Sequence, residues 1–277
     1  MEQRHLFLSL VTAGIVIAGI GVSAPLGAQS SSSLQLVDSG MVAGEIGTVD
    51  VVLVTNESDL IQGFNIDVCH DESVLDVLSI DLGPGLLLLN NGDGPDFIET
   101  YPDTAGGVVF GCIFSIFALP GIGLEPDTYS PLFTIVYQAA NVVPAVTTLE
   151  FCDIAACVGC PIAPTVLVVL GQSIPPALVD GTVFFGSPFL RGDANDDGLI
   201  DLGDPISLLE YLFGGGDAPS CASAADVNDD DMINMADPIF ELGYLFADMP
   251  APAAPFPACG VEVTPGTLTC DEVTTCP

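Results

Sequence analysis

Two acidic stretches in the C-terminal third carry the residue types and spacing best suited to chemistry. The first runs Asp193-Ala-Asn195-Asp-Asp197-Gly198-Leu199-Ile-Asp201-Leu-Gly-Asp204. Side-chain oxygens fall at loop positions 1, 3, 5, 9 and 12 (Asp193, Asn195, Asp197, Asp201, Asp204), with glycine at 6 and the Leu199 carbonyl offered at 7. Calcium is a hard cation that takes roughly six to eight oxygens, and a loop of this length and spacing wraps them around one point. Gly198 permits the sharp backbone turn between the fifth and seventh positions. Without a cation, four converging carboxylates would repel one another.

The second stretch is Asp226-Val-Asn228-Asp-Asp230-Asp231-Met232-Ile-Asn234-Met-Ala-Asp237. Asp226, Asn228, Asp230 and Asp237 keep positions 1, 3, 5 and 12, Met232 offers the carbonyl at 7, and Asn234 replaces the acid at 9. Position 6 is Asp231, which tolerates a left-handed backbone only at some cost. With three carboxylates against four, this second calcium site is expected to be the weaker.

Each loop leads into the same apolar pattern. Asp204-Pro-Ile-Ser-Leu-Leu-Glu-Tyr-Leu-Phe213 matches Asp237-Pro-Ile-Phe-Glu-Leu-Gly-Tyr-Leu-Phe246 at an offset of 33. Both predict short amphipathic helices, with Pro205 and Pro238 in the first turn and Asp204 and Asp237 as N-caps. Two loops of form D-x-N-x-D, each running straight into one helix with no incoming helix, resemble a dockerin. The resemblance covers Leu190 to about Cys259 and implies a fold completed by calcium, docking onto cohesin-type modules, and extracellular complexes that often handle polysaccharide. Cellulosomal dockerins place Ser/Thr-like pairs at loop positions 10 and 11. Here those positions are Leu202-Gly203 and Met235-Ala236, so the resemblance implies calcium ligands but not the identity of the partner. The insert Gly214–Cys221 and the Pro-rich, Cys-bearing tail also depart from the cellulosomal form.

Residues 34–186 read differently. Short strands are predicted at 48–55, 63–69, 74–80, 107–116, 132–138, 147–151, 164–169 and 181–185, separated by turn residues. In Gly63–Cys69 the side chains of Phe64, Ile66 and Val68 alternate with Asn65, Asp67 and Cys69. The Gly-, Asn-, Asp- and Pro-rich stretch 90–104 is expected to hold no regular element, and the four-leucine run 86–89 has no settled place. Eight or nine strands with almost no helical period predict a β-sandwich, so the fold class is mainly β: a sandwich, then a small helical domain of two loop–helix repeats (190–259) and a tail (260–277). The opening strand 47–55, the run Gly63-Phe64 into Cys69-His70-Asp71-Glu-Ser-Val-Leu75, and the closing Asp180–Phe185 resemble a cohesin or a related carbohydrate-binding sandwich of Ig-like or jelly-roll type.

Composition bounds the rest. The chain has 277 residues, 37 Asp plus Glu against two Lys plus Arg, and a formal net charge of −35. Such a surface repels phosphate backbones and anionic lipid, which excludes nucleic acid as a partner. Arg4 and His5, the apolar run Leu6–Ile20 and the small residues ending at Ala28 have the form of a secretory signal peptide (1–28), so the protein is expected to be exported and to keep no membrane span once cleaved. In an oxidising compartment the nine cysteines are expected to form disulfides, with one left over. Cys157-Val-Gly-Cys160 has metal or redox spacing, but the export signal favours a structural role. Cys221 with Cys259, and Cys270 with Cys276, are the pairings considered. His70 is the sole histidine after the leader, and acids are too widespread to mark a pair of catalytic carboxylates. The expectation is a non-enzymatic, calcium-dependent interaction protein of the cell exterior, with an extracellular, cohesin-like protein as partner. The alternative is a carbohydrate-binding sandwich, although with no Trp and five Tyr it has few rings to stack on sugars.

Overall fold

The structure is a computed structural model, and it describes residues 32–55, 61–101, 106–114, 129–142, 145–153, 162–264, 266–270 and 273–276. Thirteen strands are present among them. In chain order these are β1 (Ser33–Leu36), β2 (Ser39–Met41), β3 (Ile46–Val54), β4 (Ile61–Cys69), β5 (Leu75–Leu82), β6 (Phe97–Tyr101), β7 (Gly107–Ile113) and β8 (Tyr129–Ala139), then β9 (Val146–Phe151), β10 (Val166–Val169), β11 (Gln172–Ile174), β12 (Ala177–Val179) and β13 (Gly181–Phe185). The helices are α1 (Pro84–Leu87), α2 (Gly203–Leu209), α3 (Ala222–Ala225) and α4 (Ala236–Phe246). The described chain divides into two compact units, the first holding residues up to Ser39 and from Gly44 to Val183, the second Gly40–Ala43 and everything from Phe184.

The first unit is the sandwich. One sheet has the order β12-β1-β3-β8-β5; the other runs β11-β10-β4-β9-β13, with β7 also pairing β4 and β6 pairing β7. All the pairings with a defined register are antiparallel except β1 with β12, which is parallel. The alternation along β4 does its expected work: Phe64, Ile66 and Val68 are buried. Phe64 and Phe110 of one sheet meet Phe133 of the other, with Phe110 and Phe133 centroids 4.3 Å apart. Such ring pairs add about 0.5–1.5 kcal/mol each beyond the area they bury. Cys69 at the end of β4 is bonded to Cys152 just after β9, with Cα atoms 5.8 Å apart. Closing 83 residues in this way removes chain entropy from the unfolded state worth about 4 kcal/mol.

Two sequence expectations need correction here. The stretch 90–104 contains β6, paired from Phe97↔Ile113 to Tyr101↔Val109. Phe-Ile-Glu-Thr-Tyr is good strand material that the surrounding turn residues hide. The strand count exceeds eight or nine because β1, β2, β6, β11 and β12 are three to five residues long, too short for a period to register. The leucine run resolves into α1 and a tight turn in which Asn90 and Asn91 adopt left-handed backbone. Cys112 of β7 is buried and free, and burial pushes its thiol far above the usual range. Cys157 and Cys160 lie outside the described residues.

The second unit holds the two loop–helix repeats, α3 and the tail. Phe189 exchanges backbone hydrogen bonds with Gly260, which folds the tail back onto the start of the first repeat. Among the described residues no helix is long and apolar enough to cross a membrane.

Candidate metal centre

The two acidic stretches fold into loops with the same internal wiring. In loop one, Asp193 accepts the N–H of Asp197 and of Gly198, both at 2.9 Å. Asn195 Oδ1 accepts the N–H of Asp197 at 3.0 Å, Asp197 Oδ1 that of Leu199 at 2.9 Å, and Asp201 Oδ1 that of Gly203 at 2.6 Å. Asp204 accepts from Asp201 N–H at 2.9 Å and, longer, from Asn195 N–H. Loop two repeats each of these bonds 33 residues on. Asp226 accepts from Asp230 and Asp231, Asn228 from Asp230, Asp230 from Met232, Asn234 from Ala236, and Asp237 from Asn234 and Asn228. Side chain to backbone bonds of this kind are how Asp and Asn hold turns.

Gly198 has φ 83° and Asp231 φ 65°, so position 6 is left-handed in both loops. Position 4 is left-handed too, at Asp196 (φ 56°) and Asp229 (φ 60°), which spacing alone did not single out. Both are Asp, a residue several-fold enriched in that region of backbone space.

Asp204 and Asp237 are not N-caps, as the sequence suggested. Leu202 and Met235 hold those positions, and the two aspartates are the second residues of α2 and α4. Their carboxylates reach back to loop N–H groups, which seats each helix on its own loop. Asp193, Asp204, Asp226 and Asp237 are all buried. Burial pushes the Asp204 carboxyl up to about 6, against its backbone bonds and with repulsion from Asp193 and Asp197. Asp237 is pushed to about 6 for the same reasons, with Asp226 and Asp230 as the repelling neighbours.

The donors are all oxygens, which suits a hard cation over a soft one. Leu199 and Met232 turn their side chains to solvent, as residues contributing only a carbonyl would. Among the described residues, no three His, Cys, Asp or Glu side chains stand gathered at metal-holding distance by themselves. The loops interleave their acids with Asn195, Asn228, Asn234 and backbone groups.

Several functional neighbours escaped the sequence reading. Glu241 of α4 is wholly buried, and neither of its carboxyl oxygens has a hydrogen-bond partner. Burial, then repulsion from Asp204, Asp193, Asp201 and Asp237, pushes its carboxyl up to about 9. Arg191 is also wholly buried. It donates to the carbonyls of Ser223, Asp226 and Ala254 and pairs with Asp229 at 3.0 Å and with Glu262, which satisfies a cation in a place where an unpaired one would be costly. The tail touches both loops. Thr274 and Thr275 donate to Asp196 through backbone and hydroxyl, and the Thr275 hydroxyl also donates to Asp193 Oδ2 at 3.1 Å. Thr267 and Leu268 donate to Asp231.

The disulfides that fix this tail differ from both pairings considered. They are Cys221–Cys270 and Cys259–Cys276, with Cα separations of 4.0 and 5.6 Å. The tail doubles back along the unit, so Cys270 comes to lie beside α3 and Cys276 beside Cys259. A sequence read as a linear string gives no sign of that return.

No protein-family model matches the chain, and no curated protein matches it. Solved structures similar to part of it include cohesins. The seventh ScaB type I cohesin from Pseudobacteroides cellulosolvens covers 56% of this chain and 92% of its own, at 11% identity and a TM-score of 0.43. A non-cellulosomal cohesin from the hyperthermophilic archaeon Archaeoglobus fulgidus covers 58% and 93%, at 13% identity and 0.41. CaCohA2 from Clostridium acetobutylicum covers 60% and 95%, at 13% identity and 0.43.

The loop repeats also present a second matched set. Leu199, Leu202, Ile206 and Phe213 are exposed, and so are Met232, Met235, Ile239 and Phe246, each 33 residues from its counterpart. Phe213 and Phe246 are 67% and 69% exposed.

Proposed function

We propose that this is a secreted, non-catalytic protein of the cell exterior whose two loops each hold a calcium ion and whose repeated apolar positions dock an extracellular partner of cohesin-like chemistry, within a polysaccharide-handling assembly. The observation that carries this reading is the duplication itself. Identical wiring of carboxylate and amide oxygens recurs at an offset of 33, and each copy delivers a helix with the same exposed apolar side chains. Scattered exposed apolar residues need no explanation, but a set repeated in register marks a surface kept out of the core for a reason.

Asp193, Asn195, Asp197, Asp201, Asp204 and the Leu199 carbonyl would hold the first ion. Asp226, Asn228, Asp230, Asn234, Asp237 and the Met232 carbonyl would hold the second. A calcium ion there supplies positive charge to acids that otherwise face one another. The chain's own part is to pre-form each loop through backbone N–H bonds and to seat α2 and α4 on Asp204 and Asp237. Three disulfides among the described residues suit an oxidising compartment outside the cell. The sugar-binding alternative has lost ground, because Tyr137, one of the few sandwich tyrosines, is wholly buried.

Calorimetric titration of calcium into the mature chain tests the reading. Two binding events are expected, the tighter abolished by Asp193→Ala and the weaker by Asp226→Ala. No heat at millimolar calcium would remove the metal from the proposal. Light scattering with a cohesin module, with and without calcium, tests docking; equal masses in both conditions would remove the partner.

A further inference from the structure

Position 16 of each repeat, counted from the first loop residue, falls at Leu208 on α2 and at Glu241 on α4. Both side chains are wholly buried. Leu208 belongs to an apolar cluster with Ala194, Ala225 and Val227, and Ile233 packs against it; Val227 and Ile233 are loop-two residues. Glu241 stands in the mirrored place. Its Oε1 lies 3.6 Å from where a Cβ on Gly192 would stand, directly before Asp193, and a side chain there would also crowd Ile200 of loop one at 3.2 Å. Gly192 itself is left-handed, at φ 101°. The acids acting on Glu241 are Asp193 and Asp201 from loop one, Asp204 from α2, and Asp237 from its own helix.

A wholly buried carboxyl with no hydrogen-bond donor, in a field set by four other acids, is an arrangement that folding alone does not favour. Leucine at the equivalent place demonstrates that the repeat does not require an acid there. Arg191 cannot be its partner, because its guanidinium is engaged by Asp229, Glu262 and three carbonyls. Resting on the calcium reading above, we infer that Glu241 is a fifth carboxylate serving the first loop's cation across the repeat boundary, supplied by the second repeat's helix and setting the affinity of loop one above that of loop two. In this role Glu241 is a positioning residue: its carboxyl stands behind the loop without a hydrogen-bond partner, and a divalent cation in loop one gives the ionised form its counterpart. Affinity in such loops follows the number of ligand charges, so the two sites differ by five carboxylates against three, a wider gap than the loops alone provide.

Calorimetry on the mature chain, with calcium as the only probe, tests this with Glu241→Gln, which keeps shape and removes charge, and with Glu241→Asp. Glu241→Gln is expected to weaken the tighter site roughly tenfold, from loss of one carboxylate's attraction, and to change the weaker site, which faces it through Asp237 alone, by much less. Glu241→Asp is expected to retain most of the affinity. Thermal melts in chelator separate folding from binding: Glu241→Leu, which copies the Leu208 arrangement, is expected to melt above the wild type while still losing the loop-one affinity. Wild-type affinity at both sites in Glu241→Gln, or weakening confined to loop two, would overturn the inference and leave calcium binding standing. No uptake by the wild-type chain would instead remove the calcium reading, and this inference with it.

Discussion

Loop one and loop two share a backbone and differ in charge. The bonds that shape them, from backbone N–H groups to a carboxylate or amide oxygen two to five residues earlier, recur at an offset of 33. What changes is the acid at position 9, the residue at position 6, the buried group at position 16, and the point where the tail attaches. The lesson is that the fold of such a loop is held by hydrogen bonds that neutral Asn can make as well as Asp, as Asn234 does to Ala236. Charge can therefore be varied without losing the shape.

Asp231 makes the point at position 6. Glycine reaches a left-handed φ freely, whereas aspartate adopts it at a cost. In loop two that residue's carboxylate accepts the backbone N–H and hydroxyl of Thr267, with a further backbone bond from Leu268, and these bonds hold its carboxyl below the usual range. The strain is offset by a contact that glycine could not make.

The largest expected effect breaks the comparison outright. Arg191→Met leaves Asp229, Glu262 and three carbonyls without their donor. Removing one partner of a buried ion pair costs about 3–5 kcal/mol. Thermal denaturation followed by circular dichroism is expected to show early melting of the loop–helix unit, ahead of the sandwich. A single transition unmoved from wild type would contradict this.

Next, Asn234→Asp gives loop two the acid that loop one has at position 9. Its calcium affinity is expected to rise roughly tenfold, narrowing the gap between the two binding events in a calorimetric titration.

A third test uses pH. Glu241 is pushed to about 9 in the folded chain, against an unfolded value near ~4.3. A folded state that holds the proton longer loses stability as pH rises between those values. Asp204 and Asp237, both raised to about 6, act in the same sense over the lower part of the window. Chelator-treated protein is thus expected to melt at progressively lower temperature from pH 5 toward pH 9. Glu241→Leu should flatten the upper part of that slope; an unchanged slope would mean that another group sets it.

The smallest effect concerns the tail. Thr275→Val removes hydroxyl bonds to Asp193 and Asp196 and is expected to cost about 1 kcal/mol, read as a small shift in urea midpoint and a modest weakening of loop one only. Equal weakening of both loops would show that the tail acts on the unit as a whole.

The sequence was legible wherever a pattern was long enough or repeated. β4 alternates over its length, β3 and β8 are long apolar and β-branched runs, and the two loops declare themselves by recurrence. What stayed hidden depends on distant chain segments. β6 is a strand because β7 offers it an edge, and Cys221 meets Cys270 because the tail returns. Glu241 is buried because a neighbouring repeat closes over it, and the local sequence Phe-Glu-Leu carries no sign of that. The capping roles of Asp204 and Asp237 were misplaced by two residues because their side chains bond backward into the loop, a choice the local sequence does not distinguish from capping.

The burial of Arg191 has a consequence for how this molecule meets trypsin-like proteases. Beside Arg4, it is the chain's only side chain of the lysine or arginine type, and in the folded state it is wholly enclosed. Trypsin-like enzymes therefore find no exposed bond to cleave among the described residues. A cut after Arg191 must wait for the loop–helix unit to open, so its rate is itself a clock for that opening.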